Sequence, residues 1–196
     1  MNRRQLIPSL AAGMPSRWSA DVAPRTALAS GGAMLLNGKR SFPLVLYQLP
    51  ELGDRANSLR AASDAGFDIV HSTATKEALD ELARHGLCGW CTAGSIRPDR
   101  REQDRKRISA LVAGLRSHPA LAYWETEDEP SYQWRKPLVA RVAPGVIRDT
   151  YAYLRKLDPS RLVYLNHAPA NLVSTLREYN PGGDLIATDV YPVIPH

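Results

Sequence analysis

From residue 33 onward, apolar residues follow two alternating patterns: short continuous runs, and longer stretches with three- and four-residue spacing. The first pattern marks strands buried on both faces, and the second marks helices with one buried stripe. The first run, 42–49, predicts such a buried strand. A helix over 55–65, stopped by Gly66, and a second strand over 67–72 follow. Residues 76–85 predict a helix whose stripe is Ala78, Leu79 and Leu82, with Gly86 as its stop. A third strand over 87–92 leads to a long amphipathic helix over 101–116, with Ile108, Leu111, Val112 and Leu115 on one face. His118-Pro119 ends that helix, and 120–126 predicts the fourth strand. A loop around Trp134 and Pro137 precedes a helix ending near Leu157, with Asp158-Pro159 as its exit. Residues 161–166, 170–179 and 184–191 complete the series as strand, helix and strand.

Ahead of this series, Asn37-Gly38 between apolar flanks predicts a hairpin over 33–42. Residues 1–32 are rich in Pro, Ser, Ala and Gly without a sustained period, and are read as a leader outside the fold. The start, Asn2-Arg3-Arg4-Gln5-Leu6-Ile7, has the form of a twin-arginine export signal. Pro8, Pro15 and Arg17 interrupt the apolar region such a signal needs, so a bacterial export signal and a disordered leader both stay open.

Strand-then-helix repetition implies a parallel sheet with right-handed crossovers. Periodicity alone does not separate a barrel from an open doubly wound sheet. After the first strand, Gln48-Leu-Pro-Glu-Leu-Gly53 lacks the glycine pattern of a phosphate-binding open sheet, which favours the barrel. The expected fold is therefore α/β: a TIM (β/α)8-type barrel over 33–196, incomplete at about six βα units, with an N-terminal β-hairpin. The 196 residues agree with this, since a complete barrel usually takes about 250.

The net charge of +5 raises the question of a nucleic-acid partner. The densest basic run, 97–107, is interrupted by Asp99, Glu102 and Asp104 and has no aromatic platform, which describes a solvated helix face. No stretch approaches the ~20 apolar residues of a membrane span. Neither nucleic acid nor membrane is expected as a partner. Cys88 and Cys91 have C-x-x-C spacing, but on a strand positions three apart face opposite ways. No second ligand pair exists for zinc, so both read as structural thiols.

Polar residues gather where the predicted strands end: Tyr47-Gln48, His71-Ser72-Thr73, Thr92, Glu125 through Pro130, Asn166-His167, and Asp189-Val-Tyr191-Pro192. Barrel enzymes place their sites at those ends. Glu127, Asp128 and Glu129 form the densest group. Mutual repulsion raises at least one of their pKa values, and a carboxylic acid still protonated near neutral pH can protonate a departing oxygen. A solvent-exposed acidic loop paired with the chain's arginines is the other reading of the same residues.

Several segments resemble clan-A glycoside hydrolases. Leu36-Asn-Gly-Lys-Arg-Ser-Phe-Pro43 is similar to the Asn-Gly-Lys hairpin that opens many of them, and Asp64-Ala-Gly-Phe-Asp-Ile-Val70 to their first helix exit and second strand. Ser117-His-Pro-Ala-Leu-Ala-Tyr-Trp-Glu-Thr-Glu-Asp-Glu-Pro130 resembles their segment of His-Pro-Ala, apolar strand, Trp, and Asn-Glu-Pro or Asp-Glu-Pro. Asp189-Val-Tyr191-Pro192 resembles the end of their sixth strand. The resemblance implies hydrolysis of O-glycosidic bonds, with Glu129 as general acid/base and a carbohydrate as substrate. Asp128 stands where the family usually has an Asn that hydrogen-bonds the sugar 2-hydroxyl. Glu127, Asn166 and Asp189 are expected to line the substrate site. Trp124 either supports the acid or belongs to the core, and His167 and Tyr191 either line the sugar subsite or are structural.

The family draws its nucleophile from a seventh strand, and this chain is expected to stop before it, inactive alone and prone to self-association through open sheet edges. The alternative is a non-catalytic or degenerate carbohydrate-binding barrel, favoured by Asp128 and the missing strands. A metal-dependent hydrolase built on Glu127, Glu129, His167 and Asp189 lacks a His-x-His or His-x-x-x-His pair. No metal or cofactor is expected.

Overall fold

The computed structural model describes residues 26–36, 38–131, 140–169 and 173–190. Three short strands come first: β1 (Thr26–Leu28), β2 (Met34–Leu36) and β3 (Lys39–Arg40), paired antiparallel in that order. The β2–β3 register places Leu36 opposite Lys39, and Gly38 just before Lys39 has φ +79°, the left-handed conformation that tight hairpin connections favour. Strand β1 thus lies ahead of the point where the hydrophobic pattern begins. Thr26 anchors it: its N–H donates to Ser160 O (3.1 Å), its Oγ1 to Ala122 O (3.3 Å), and it accepts from Leu162 N (2.8 Å). One threonine in a weakly patterned stretch carries no periodic signal, which is why the reading from sequence places 26–32 outside the fold.

The remaining elements alternate strand and helix: β4 (Val45–Leu46), α1 (Arg55–Asp64), β5 (Ile69–Ser72), α2 (Lys76–Arg84), β6 (Cys88–Thr92), α3 (Arg101–Leu115), β7 (Leu121–Glu125), α4 (Pro144–Leu157), β8 (Val163–His167), α5 (Val173–Tyr179) and β9 (Leu185–Thr188). All six strands are parallel and pair in chain order, giving a curled half-barrel. Local chemistry sets the helix ends. Asp54 caps α1 by accepting from Asn57 N (2.7 Å), and Thr75 caps α2 by accepting from Ala78 N (3.2 Å). Gly66 and Gly86, at φ +86° and +69°, follow the helix ends as left-handed stops.

Strand 42–49 differs from expectation. Only Val45–Leu46 forms ladder, Val45 is 40% exposed and Phe42 88%. The cause is position: β4 pairs with β5 on one side, and no described strand lies on its other side.

Side chains leave the sheet in two layers. Leu59, Leu79, Leu82, Ile108, Val112 and Leu154 of the helices pack against Val70, Cys91, Leu121, Trp124 and Val163. On the inner face Ile69, Cys88, Trp90, Ala122 and Tyr123 form a second cluster, joined by Met34 of the hairpin and by Tyr164 and Leu185. Cys88 and Cys91 are both buried and free, on opposite faces as the strand geometry requires.

Strand β7 breaks the alternation. Its register with β6 pairs Gly89 with Leu121 and then Trp90 with Tyr123, skipping Ala122. Ala122 and Tyr123 therefore both pack inward, and every later residue changes face relative to strict alternation. Trp124 turns outward to the helices, and Glu125 turns inward.

At the N-terminal end of the strands, Arg161 is fully buried and pairs with Asp158 at 2.9 Å. Its remaining N–H groups donate to the carbonyls of Leu121 (2.9 Å), His118 (3.4 Å) and Arg116. Such a buried cation is tolerated because it is paired with a carboxylate and each of its three nitrogens donates a hydrogen bond. His118 accepts from Ala120 N at 3.1 Å and meets Asp80 at 3.0 Å. The His-Pro-Ala motif is thus structural here, at the N-terminal end of the parallel strands.

Candidate active site

A cleft of about 470 Å³ opens at the C-terminal end of the sheet. Alternation along the strands supplies its walls: Val45 and Tyr47 from β4 and its exit, Trp90 from β6, Tyr164 and Asn166 from β8, and Asp189 after β9. Asp128 and Glu129 complete it from the loop leaving β7. Asn166 Nδ2 donates to both Asp128 Oδ1 and Asp189 Oδ1, each at 3.0 Å, and ties the three residues into one rim. The Tyr47 hydroxyl hydrogen-bonds Asp128, and burial together with the charges of Asp128, Glu125 and Asp189 raises its pKa.

Glu129 is buried and has φ +44°, a left-handed backbone that a non-glycine residue holds only when its surroundings impose it. Its carbonyl neighbour is Pro130, which further restricts the backbone before it. Strain of this kind concentrates at functional sites.

Below this rim lies Glu125, 1% exposed. Burial pushes its carboxyl up to about 7, with Asp128 and Glu127 adding to the rise and the hydrogen bond from Thr92 opposing it. Thr92 Oγ1 donates to Glu125 Oε2, and Glu125 Oε1 has no hydrogen-bond partner. Trp90 Nε1 lies on the Glu125 side without a hydrogen bond of good geometry. His71 Nε2 sits 3.1 Å from Thr92 Oγ1 and 3.9 Å from Glu125 Oε2. Its ring stacks on Tyr47 (centroids 5.1 Å apart, planes at 7°) and contacts Trp90 at 5.0 Å. Trp90 in turn touches Tyr123 and Tyr164, so the inner face is an aromatic floor with a carboxyl set into it.

Of the residues expected at the site, Glu129, Asp128, Asn166 and Asp189 line the cleft together. Glu127 points elsewhere. It accepts from Ser95 Oγ (3.0 Å) and Arg97 Nη2 (3.4 Å) and pairs with Arg141 at 3.6 Å, in a separate hollow beside α3. Arg141 also donates to Asp128 O, so this ion group pins the loop that carries Asp128 and Glu129. Trp124 is fully buried in the outer layer, its Nε1 donating to Asp158 Oδ2 at 2.9 Å. His167 is also fully buried and faces outward, with Nε2 2.9 Å from Asn180 Oδ1 and its ring edge-on to Tyr179. Tyr191 lies outside the described residues, as do Pro192, Trp134 and Pro137. Glu127, Glu129, His167 and Asp189 do not converge, and among the described residues no three His, Cys, Asp or Glu side chains are grouped to hold a metal. No described helix is long and apolar enough to cross a membrane.

Glu125, His71, Thr92 and Tyr47 carry a signal in the sequence as polar residues at strand ends. Trp90 and Tyr164 carry none, since inward aromatics on a strand read as core.

No protein-family model matches the sequence, and no curated protein does. Solved structures do match. A β-glucuronidase from Parabacteroides merdae is 16% identical with a TM-score of 0.61, over 86% of this chain and 23% of that one. A glycosyl hydrolase family 2 member from Bacteroides cellulosilyticus is 17% identical with a TM-score of 0.58, over 85% and 24%. A β-galactosidase structure from Bacteroides fragilis, described as putative, is 14% identical with a TM-score of 0.58, over 86% and 26%. The chain thus spans about a quarter of the length of these neighbours. At such identities the likeness is one of fold: the curled parallel sheet is that of glycoside hydrolase family 2 structures.

Proposed function

We propose that this chain carries the acid/base half of a glycoside hydrolase site, with Glu129 as the proton donor to the leaving glycosidic oxygen. The observation that supports this most is the placement of Glu129: buried, backbone-strained, and lining the same cleft as Asp128, Asn166 and Asp189 at the C-terminal end of the strands. Its position in the His-Pro-Ala to Asp-Glu-Pro segment agrees with the acid/base of clan-A hydrolases, and the fold neighbours include glycoside hydrolases. Trp90, Tyr47 and Tyr164 give the cleft the aromatic surface on which a sugar ring packs.

In this mechanism Glu129 protonates the departing oxygen and later accepts a proton from water, while a second carboxylate acts on the anomeric carbon. Asn166 would orient Asp128 and Asp189 toward ring hydroxyls. Glu129→Gln should lower turnover of poorly activated glycosides ~10²–10⁴-fold and that of aryl glycosides with good leaving groups much less. Steady-state kinetics on both substrate types test this, and equal losses would count against the acid role.

One observation favours a second reading, carbohydrate binding without turnover. Asp128 accepts hydrogen bonds from Asn166 and Tyr47 and, as a carboxylate, cannot donate one to a sugar oxygen. Calorimetric binding of a sugar with no hydrolysis, unaffected by Glu129→Gln, would select it.

A further inference from the structure

The residues under the cleft form a connected chain that the acid/base chemistry does not use. We infer that Glu125, Thr92 and His71 are a proton relay through the cleft floor, passing a proton between the interior carboxyl and the partly exposed imidazole and so setting the charge beneath Asp128 and Glu129 by solution pH.

The geometry has three parts. Thr92 Oγ1 touches both ends, bonded to Glu125 Oε2 and 3.1 Å from His71 Nε2. A hydroxyl donates one hydrogen and accepts another, so the chain has two self-consistent settings. With Glu125 ionised, Thr92 donates to it and accepts from His71 Nε2–H. With Glu125 protonated, Glu125 donates to Thr92, Thr92 donates to the Nε2 lone pair, and the ring hydrogen sits on Nδ1. Secondly, His71 is 30% exposed while Glu125 is sealed, so the imidazole is the end that meets water. Thirdly, Glu125 is buried, and its one well-formed side-chain hydrogen bond is that of Thr92, the indole N–H of Trp90 facing the carboxyl without a bond of good geometry.

The protons balance along this path. A proton from water adds at His71 Nδ1, the Nε2 hydrogen moves to Thr92 Oγ1, and the Thr92 hydrogen moves to Glu125. The imidazole and hydroxyl finish neutral, and one proton has reached the interior.

The groups facing Glu125 agree with this. They are Tyr47 just after β4, His71 from β5, Trp90 and Thr92 from β6, Tyr123 on its own strand, Tyr164 from β8, and Asp128 and Glu127 from the loop after β7. None of these supplies a fixed positive charge, and burial lowers the pKa of His71 despite the opposing charge of Asp128. The switching group near neutral pH is therefore the carboxyl, with a neutral imidazole reporting it.

The test is nitrogen NMR of the chain labelled with ¹⁵N-histidine, followed from about pH 5 to about pH 9, with His71→Gln to assign the resonance. No substrate is needed, so the result is independent of whether Glu129 is a glycosidase acid. Neutral His71 should change from the Nδ1–H to the Nε2–H tautomer as pH rises through about 7. Thr92→Ser, which keeps the hydroxyl, should preserve the switch, whereas Thr92→Val and Glu125→Gln should abolish it. A single His71 tautomer across the range in the unaltered chain, or an unchanged switch in Glu125→Gln, would overturn the relay.

Discussion

Glu125 shows how far one residue's chemistry depends on its surroundings. Burial raises its pKa from 4.5 to about 7, so between those values the folded chain binds more protons than the unfolded chain. Its contribution to stability is fully present below the lower value and is lost as pH rises through the upper one. Glu125→Gln, which removes the ionisable group but keeps a partner for Thr92, should therefore stabilise the chain at about pH 8 by on the order of 3 kcal/mol. Near pH 5 the two proteins should unfold at similar urea concentrations. Equal midpoints at both pH values would show that the carboxyl does not titrate in the fold. The sequence shows a row of acids from Glu125 to Glu129, and their repulsion predicts a raised pKa among the last three. In the structure Glu125 itself is raised, because the skipped residue Ala122 turns that side chain inward and burial acts on it. A bulge has no periodic signature, and it also sends Trp124 to the outer layer, where the sequence leaves its role open.

At the scale of elements, the junction of α2 with β6 is the tightest test of packing. A Cβ at Gly89 would come within 2.7 Å of Leu79 Cδ2, 2.9 Å of Leu82 Cδ1 and 3.1 Å of Ser72 Cβ. Both leucines are fully buried, so neither has room to withdraw. Gly89→Ala should destabilise the chain by about 1–3 kcal/mol through overpacking, seen as a lower thermal midpoint with helical circular dichroism unchanged at low temperature. An unchanged midpoint would mean that α2 can shift away from the sheet at little cost. Helices α1, α2 and α3 and strands β5 to β8 are legible in the sequence to within two or three residues, because caps, stripes and glycine stops act locally. Strand β4 is less so. Its apolar run reads as buried, whereas burial of a strand depends on neighbours that no local pattern encodes.

At the scale of the molecule, the described strands present their inner face on a sheet that does not close on itself. Among the described residues, β4 and β9 have a strand partner on one side only. Phe42, Leu44, Val45 and Tyr47 near one edge, and Ile186 and Val190 near the other, are exposed. Unpaired N–H and C=O groups beside apolar side chains favour pairing with another chain. The chain on its own should therefore associate at micromolar concentration, as a rising weight-average mass in sedimentation velocity. Lys substituted at Val45 and Ile186 should reduce that association. A constant monomer mass over a wide concentration range would show that the edges are covered.

The sequence by itself determined the order and kind of the elements and the end of the sheet where polar residues gather. Caps, stops and hydrophobic period are short-range, and βα repetition brings every strand end to one side. It also marked Asp128, Glu129, Asn166 and Asp189, of which Asn166 bonds Asp128 and Asp189, 38 and 23 residues away in the chain. Only the tertiary structure decided which face each side chain of β7 takes, and that Glu127 belongs to an arginine group beside the cleft rather than in it. It alone also brought Tyr47, His71, Trp90 and Tyr164 together under the acids. Those outcomes rest on register and on contacts between distant strands. A one-residue slip there reverses every side chain beyond it, and burial then shifts a carboxyl that the sequence alone leaves ordinary.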